Sequence, residues 1–152
     1  MAAQLQVLTA PFPAPTKSTS AVINNTLTTA TRIAFSDKLF ISISGPGGKV
    51  PTWVHVPLAS TNSTDPSNPA FTSASDTSLL PRTDLTATTV LGGTKRDEEI
   101  VAQTLATTIA SAVLMKRPGE ERLLVLGVGV EGLGEMGRDG FEEVVGLVLG
   151  VL

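Results

Sequence analysis

Along the chain, β-branched and polar residues alternate through "SAVINNTLTTATRIAFSDKLFISIS", from Ser20 to Ser44. That period of two predicts three strands, about Ser20–Ile23, Leu27–Phe35 and Lys38–Ser44, with turns at Asn24-Asn25 and Ser36-Asp37. The short "SDK" step forces an antiparallel hairpin. "GPGGK" (Gly45–Lys49) marks another turn, and "TWVHVPL" (Thr52–Leu58) a fourth strand. A β pattern returns at Thr83–Gly92. The spacing then changes to that of a helix: Val101, Leu105, Ile109, Ala112 and Val113 share one face of "TKRDEEIVAQTLATTIASAVLMKR". Thr94 is its expected N-cap, with Asp97 at capping-box spacing, acidic residues in the first turn and Lys116 and Arg117 in the last. Pro118-Gly119 ends it. "RLLVLGVGV" (Arg122–Val130) reads as a strand apolar on both faces, and a second helix follows from about Asp139, weakened by Gly146 and Gly150.

Strands followed by helix, strand and helix predict an α+β domain: an antiparallel sheet of about six strands with two helices on one face. The domain is expected to span 20–152, after a flexible lead-in at 1–19 rich in Pro, Ser and Thr. "ASTNSTDPSNPAFTSASDTSLLPR", 59–82, has the composition of a long disordered loop. In the last strand Leu124, Leu126, Val128 and Val130 point one way and Leu123 and Val125 the other. Helices cover one face only, so the other needs a cover, and a second protein chain supplies one most simply.

Composition narrows the chemistry. The 152 residues carry a net charge of −3, with 41% hydrophobic and 16% charged residues, so a folded core is expected. The negative charge argues against a nucleic-acid partner. There are no cysteines and one histidine, which removes disulfides and the usual zinc sites. No charged n-region precedes a long apolar stretch at the start, and Val144–Leu152 is too short to span a bilayer. The expectation is a soluble chain of the cytoplasm or nucleus, without membrane contact, in which the glycosylation patterns at Asn24 and Asn62 are idle.

Gly127, Gly129 and Gly132 spell GxGxxG after an apolar strand. A dinucleotide site needs a later strand carrying an acid for the ribose, and the residues after Gly132 are spent on one helix. "GPGGK" is not a phosphate loop: Ile43 stands where its first Gly belongs, and Val50 where Ser or Thr should meet the metal. His55 lies mid-strand with no GxSxG elbow in the chain. The pairs Glu98-Glu99, Glu120-Glu121 and Glu142-Glu143 read as solvated carboxylates near helix ends or turns. Trp53, the sole tryptophan, suits an interface or a core equally. No catalytic, cofactor-binding or metal-binding residue is expected, and no cofactor.

Two stretches carry more: "AFSDKLFISIS…GGKV" (Ala34–Val50) and "LTATTVLGGTKRDEEIVAQTLATTIAS" (Leu85–Ser111), followed by "LLVLGVGV". With their order and spacing, from Ser20 to Leu149 apart from the 59–82 loop, the chain resembles the small proteasome assembly chaperones of types three and four. The Phe35-Ser36 turn, Gly48-Lys49 and the region after Val130 lie closer to type three, and the likeness is fungal-like. The resemblance implies a non-catalytic chaperone that pairs through its sheet with a sibling chaperone, as heterodimer or homodimer, and holds proteasome α subunits while the α-ring forms. The tail "LGVL" lacks the hydrophobic-Tyr-any ending of other proteasome chaperones. Pairing contacts are expected at Ile41, Ile43, Leu124, Leu126 and Val128. The alternatives are an adaptor of another complex, such as one in trafficking, or a nucleotide-dependent enzyme using Gly127–Gly132.

Overall fold

A computed structural model describes residues 9, 13–59, 82 and 84–152. Six strands form one sheet: β1 (Thr16–Ile23), β2 (Thr26–Ala34), β3 (Lys38–Ser44), β4 (Thr52–Pro57), β5 (Thr88–Leu91) and β6 (Leu123–Gly129). Helices α1 (Arg96–Lys116) and α2 (Arg138–Leu149) complete the α+β fold, with a 3-10 turn at Leu133–Glu135 between β6 and α2. The spatial order is β1-β2-β3-β6-β4-β5. Neighbours run antiparallel except β3 and β6, which are parallel, a departure from the all-antiparallel sheet expected. The reason is connectivity: β6 arrives after α1 and inserts between β3 and β4, so it can oppose only one of them.

Local chemistry sets the turns. Asn24 and Asn25 both take positive φ, 48° and 64°, the geometry of a two-residue hairpin turn that asparagine tolerates. The β2–β3 hairpin closes with the Phe35 amide donating to the Lys38 carbonyl at 2.9 Å. β1 begins at Thr16, four residues before the predicted start. Pairing with β2 through Thr16↔Ile33 places 16–19 in the sheet rather than in a flexible lead-in. The serine- and threonine-rich loop expected at 59–82 lies, apart from Ala59 and Arg82, outside the described residues.

The core fills the space between the sheet and the helices. Leu39, Ile41, Ile43, Val54, Val56, Leu124, Leu126 and Val128 meet Leu105, Ile109 and Val113 of α1 and Val144 and Val148 of α2. Ala102, Ala106 and Ala110 are also fully buried, so small side chains on α1 widen its apolar face beyond the stripe seen in the sequence. Thr108 and Ser111 are buried without orphaned hydroxyls, because each donates to the carbonyl four residues back at 2.8 Å. Helix α1 starts after Lys95, with no side-chain cap from Thr94 or any other residue. Asp97, Glu98 and Glu99 in the first turn supply the electrostatic complement instead.

One ion pair lies within the connector from α1 to β6 and is joined to the β2–β3 hairpin. Arg122 donates from Nε and Nη2 to the two Glu120 oxygens at 2.7 and 2.6 Å, and from Nη1 to the Phe35 carbonyl at 3.0 Å. The Glu120 side chain is 7% exposed. These hydrogen bonds from Arg122 hold its carboxyl below the usual carboxylate range, against the opposing effect of burial.

Two outcomes are expected. Leu126→Ala, which opens a cavity at the centre of the core, lowers the unfolding free energy by about 2–5 kcal/mol in urea titration. A depressed carboxylate stabilises above its unfolded-state pKa and ceases to as pH falls through its folded-state value. The stability lost in Glu120→Gln is therefore full at pH 7 and shrinks on acidification below the ordinary carboxylate range, read from urea midpoints at each pH.

Candidate functional site

Helix α1 lies over β4, β5 and β6, and α2 over β1 and β2, all on one side. The opposite side of the sheet carries no layer of the described chain. Strand alternation and register place its side chains in rows. One runs Ile33, Phe40, Val125 and His55; the next runs Ser18, Thr31, Ser42, Gly127, Trp53 and Leu91. Phe40, Ile33, Val125, Trp53 and His55 are each half-buried, while Leu91, Leu27 and Val22 are 60%, 56% and 66% exposed.

Charge is nearly missing from this face. Among its strand positions in β1–β4 and β6, the single Lys, Arg, Asp or Glu is Lys38, at the start of β3, where it bonds the Asp37 carboxylate. On β1 and β2 the polar groups are hydroxyls that satisfy each other, Ser18 with Thr31 at 2.9 Å and Ser20 with Thr29 at 2.8 Å. The surface thus divides into a hydroxyl ladder and an aromatic–aliphatic patch. Depletion of charge with an aromatic centre is the composition of an interface core.

The glycines of the GxGxxG stretch help build this patch. Trp53 lies over Gly127, where an added Cβ would sit 2.6 Å from Val50 Cγ1 and 2.9 Å from Trp53 Cζ3. The slot lets the indole reach Phe40, with ring centroids 5.4 Å apart and planes tilted by 41°. Gly129 passes under the loop from β3 to β4: a Cβ there would fall 1.8 Å from the Lys49 carbonyl oxygen, and the Gly129 carbonyl accepts from the Gly45 amide at 3.1 Å. Gly47 and Gly48 take positive φ in that loop, as the glycine cluster predicts, but the strands it joins are not neighbours, since β6 lies between them. Gly132, at φ 66°, starts the 3-10 turn. Each glycine has a packing or backbone reason.

The expected pairing residues need correction. Ile41, Ile43, Leu124, Leu126 and Val128 are 0–1% exposed and face the helices, so they form this chain's own core and offer no surface to a partner. The two-sided reading of β6 holds in its geometry: Leu123 and Val125 lie on the open face, half-buried. Alternation in the sequence separates the two faces of a strand but does not say which one the helices take. Phe40 and Ile33 were missed, and Val125 was placed on the second face without being named a contact; the signal for them was the same alternation read one position on. Trp53 was noticed, without a face.

Among the described residues no group of three or more His, Asp or Glu side chains is placed to hold a metal, and no helix is long and apolar enough to cross a membrane. No family model matches the sequence, and no curated protein matches it. Among solved structures, the fold is similar to a chain in the crystal structure of a chaperone complex for yeast 20S proteasome assembly. That similarity has a TM-score of 0.46 and 8% identity, and covers 89% of this chain and 93% of the other.

The glycine geometry predicts an ordering of substitutions. Gly129→Ala, opposed by main chain, destabilises more than Gly127→Ala, opposed by side chains that can shift. Gly127→Ala costs about 1–3 kcal/mol of overpacking, and Gly132→Ala about 1–2 kcal/mol of left-handed strain. Urea unfolding of the three variants checks the order. NAD or ATP at millimolar concentration leaves the wild-type melting temperature unchanged, whereas a dinucleotide site would raise it by mass action.

Proposed function

We propose that this chain is a non-catalytic chaperone subunit that pairs through its open sheet face with a related chaperone chain, and that the pair assists α-ring assembly of the 20S proteasome by binding α subunits. The observation that carries the pairing is the nearly uncharged face centred on Phe40, Val125 and Trp53. Half-buried aromatics on a sheet face without a layer among the described residues lose apolar exposure when a second chain covers them, at roughly 25 cal/mol per Å². Hydroxyl groups already bonded to one another can be covered at little desolvation cost, and the one charge on these strand positions, Lys38, lies at the start of β3, away from the patch centre. The assignment to proteasome assembly is supported by the motif order across Ala34–Val50 and Leu85–Ser111, and the setting proposed with it is cytoplasmic or nuclear. Chain recognition also gives Gly127 a part, because it seats Trp53 at the centre of the patch.

Light scattering after size exclusion tests the pairing, with the chain alone and mixed with a sibling assembly chaperone. The expected result is a two-chain particle, of two copies of the 15.7 kDa chain or one copy with the sibling. Val125→Glu, which places a charge on the covered face but outside the core, weakens pairing on the order of 100-fold with the circular dichroism spectrum unchanged. A monomer under both conditions removes the pairing. Capture of purified α subunits by the pair tests the second half, and a pair that retains none of them removes the proteasome role while leaving the pairing intact.

A further inference from the structure

The single histidine of the chain lies on the open face of the sheet. His55 alternates with Val54 and Val56, both fully buried under the helices, so its half-buried ring points the other way. The ladder sets it directly across from Val125 of β6 and from Thr88 of β5. Trp53, two residues back, is its neighbour along the strand, and Phe40 lies one strand beyond Val125. The imidazole therefore stands within the patch that a second chain would cover.

No group of opposite charge accompanies it. Its neighbours on this face from β4, β5 and β6, which are Trp53, Pro57, Thr88 and Val125, carry no charge. Lys38 lies in the next row and two strands away, where Asp37 holds it. Asp84, on the segment leading into β5, gives both carboxylate oxygens to Arg82. Glu120, in the connector before β6, gives both of its own to Arg122. Helices α1 and α2 lie across the sheet and present nothing to this side. Among the described residues the imidazole makes no hydrogen bond or ion pair. A protonated ring covered by such surroundings would lose its hydration and gain no counter-ion, the costly form of burial.

Given the pairing proposed above, on which this depends, we infer that it is proton-linked through His55: the neutral ring is covered, and acidification drives the two chains apart. The sign follows from the form that covering excludes. Pairing is complete where histidine is neutral and declines as the pH falls through the range in which an imidazole takes its proton. In a pair of two copies, both faces lack carboxylates at these strand positions, so two rings contribute. In a pair with a sibling chain, this chain contributes one.

Sedimentation equilibrium of the full chain, free of any histidine tag, gives the dissociation constant of the pair at about pH 8 and about pH 5.5. The constant is expected to rise about tenfold for each His55 covered, since the lower pH lies about one unit below the ordinary imidazole midpoint. His55→Gln, which takes no proton, is expected to pair equally at both. Should that variant fail to fold or pair, the ring's own proton signal decides. With this chain alone labelled, its titration midpoint must lie lower in the pair than in the dilute chain. Equal constants at both pH values, or equal midpoints, overturn the inference and leave the pairing intact. An acid weakening that His55→Gln retains overturns it as well, because another group is then responsible. Pairing that strengthens on acidification does the same, since the partner then presents a carboxylate to the ring. Absence of any pair at pH 8 removes the pairing and this inference with it.

Discussion

Two helices can seal one face of a six-stranded sheet, and everything else in this molecule follows from that. The sealed side takes the aliphatic residues of the central strands, Leu39, Ile41, Ile43, Leu124, Leu126 and Val128, and excludes water from them almost entirely. Alanines on α1 let the helix approach closely enough to close the layer. The other side cannot be sealed by the same means. Its residues respond by removing charge rather than adding it, which is the reverse of how a solvated sheet face is ordinarily built.

Placing β6 between β3 and β4 concentrates the consequence at the middle of the sheet. A central strand has apolar side chains above and below, and on the open side the chain mitigates the exposure locally. Gly127 creates a slot, Trp53 fills it, and Phe40 flanks the indole. The patch is half-buried within the single chain, with the Trp53 and Phe40 rings packed on one another. Rigid aromatic surfaces lose little conformational freedom on binding, and that favours recognition by another chain.

Much of this was legible in the sequence, and the parts that were not have physical causes. The strand at Lys38–Ser44 matches its prediction residue for residue, because alternation and two turn signals agree. The pair Asn24-Asn25 announced its hairpin through chemistry that no tertiary contact overrides. The start of β1 was missed because pairing with β2, not the composition of the threonine- and serine-rich segment, decides it. The cap expected at Thr94 does not form: α1 starts after Lys95, and Gly92 and Gly93, both at positive φ, lead the backbone into it. The face of the sheet that stays open depends on where two distant helices settle, and a periodicity within one strand carries no information about that.

The account stands on the open face being covered by another chain, and Trp53 reports on it directly as the only tryptophan. With the chain alone isotopically labelled at its indole nitrogen, the single indole N–H signal is followed in the presence of a soluble paramagnetic agent. The spectra are compared in dilute solution, at high concentration, and after addition of an unlabelled sibling chaperone. The account predicts strong broadening of the dilute chain and protection at high concentration or with the sibling. Equal broadening under all three conditions would contradict it.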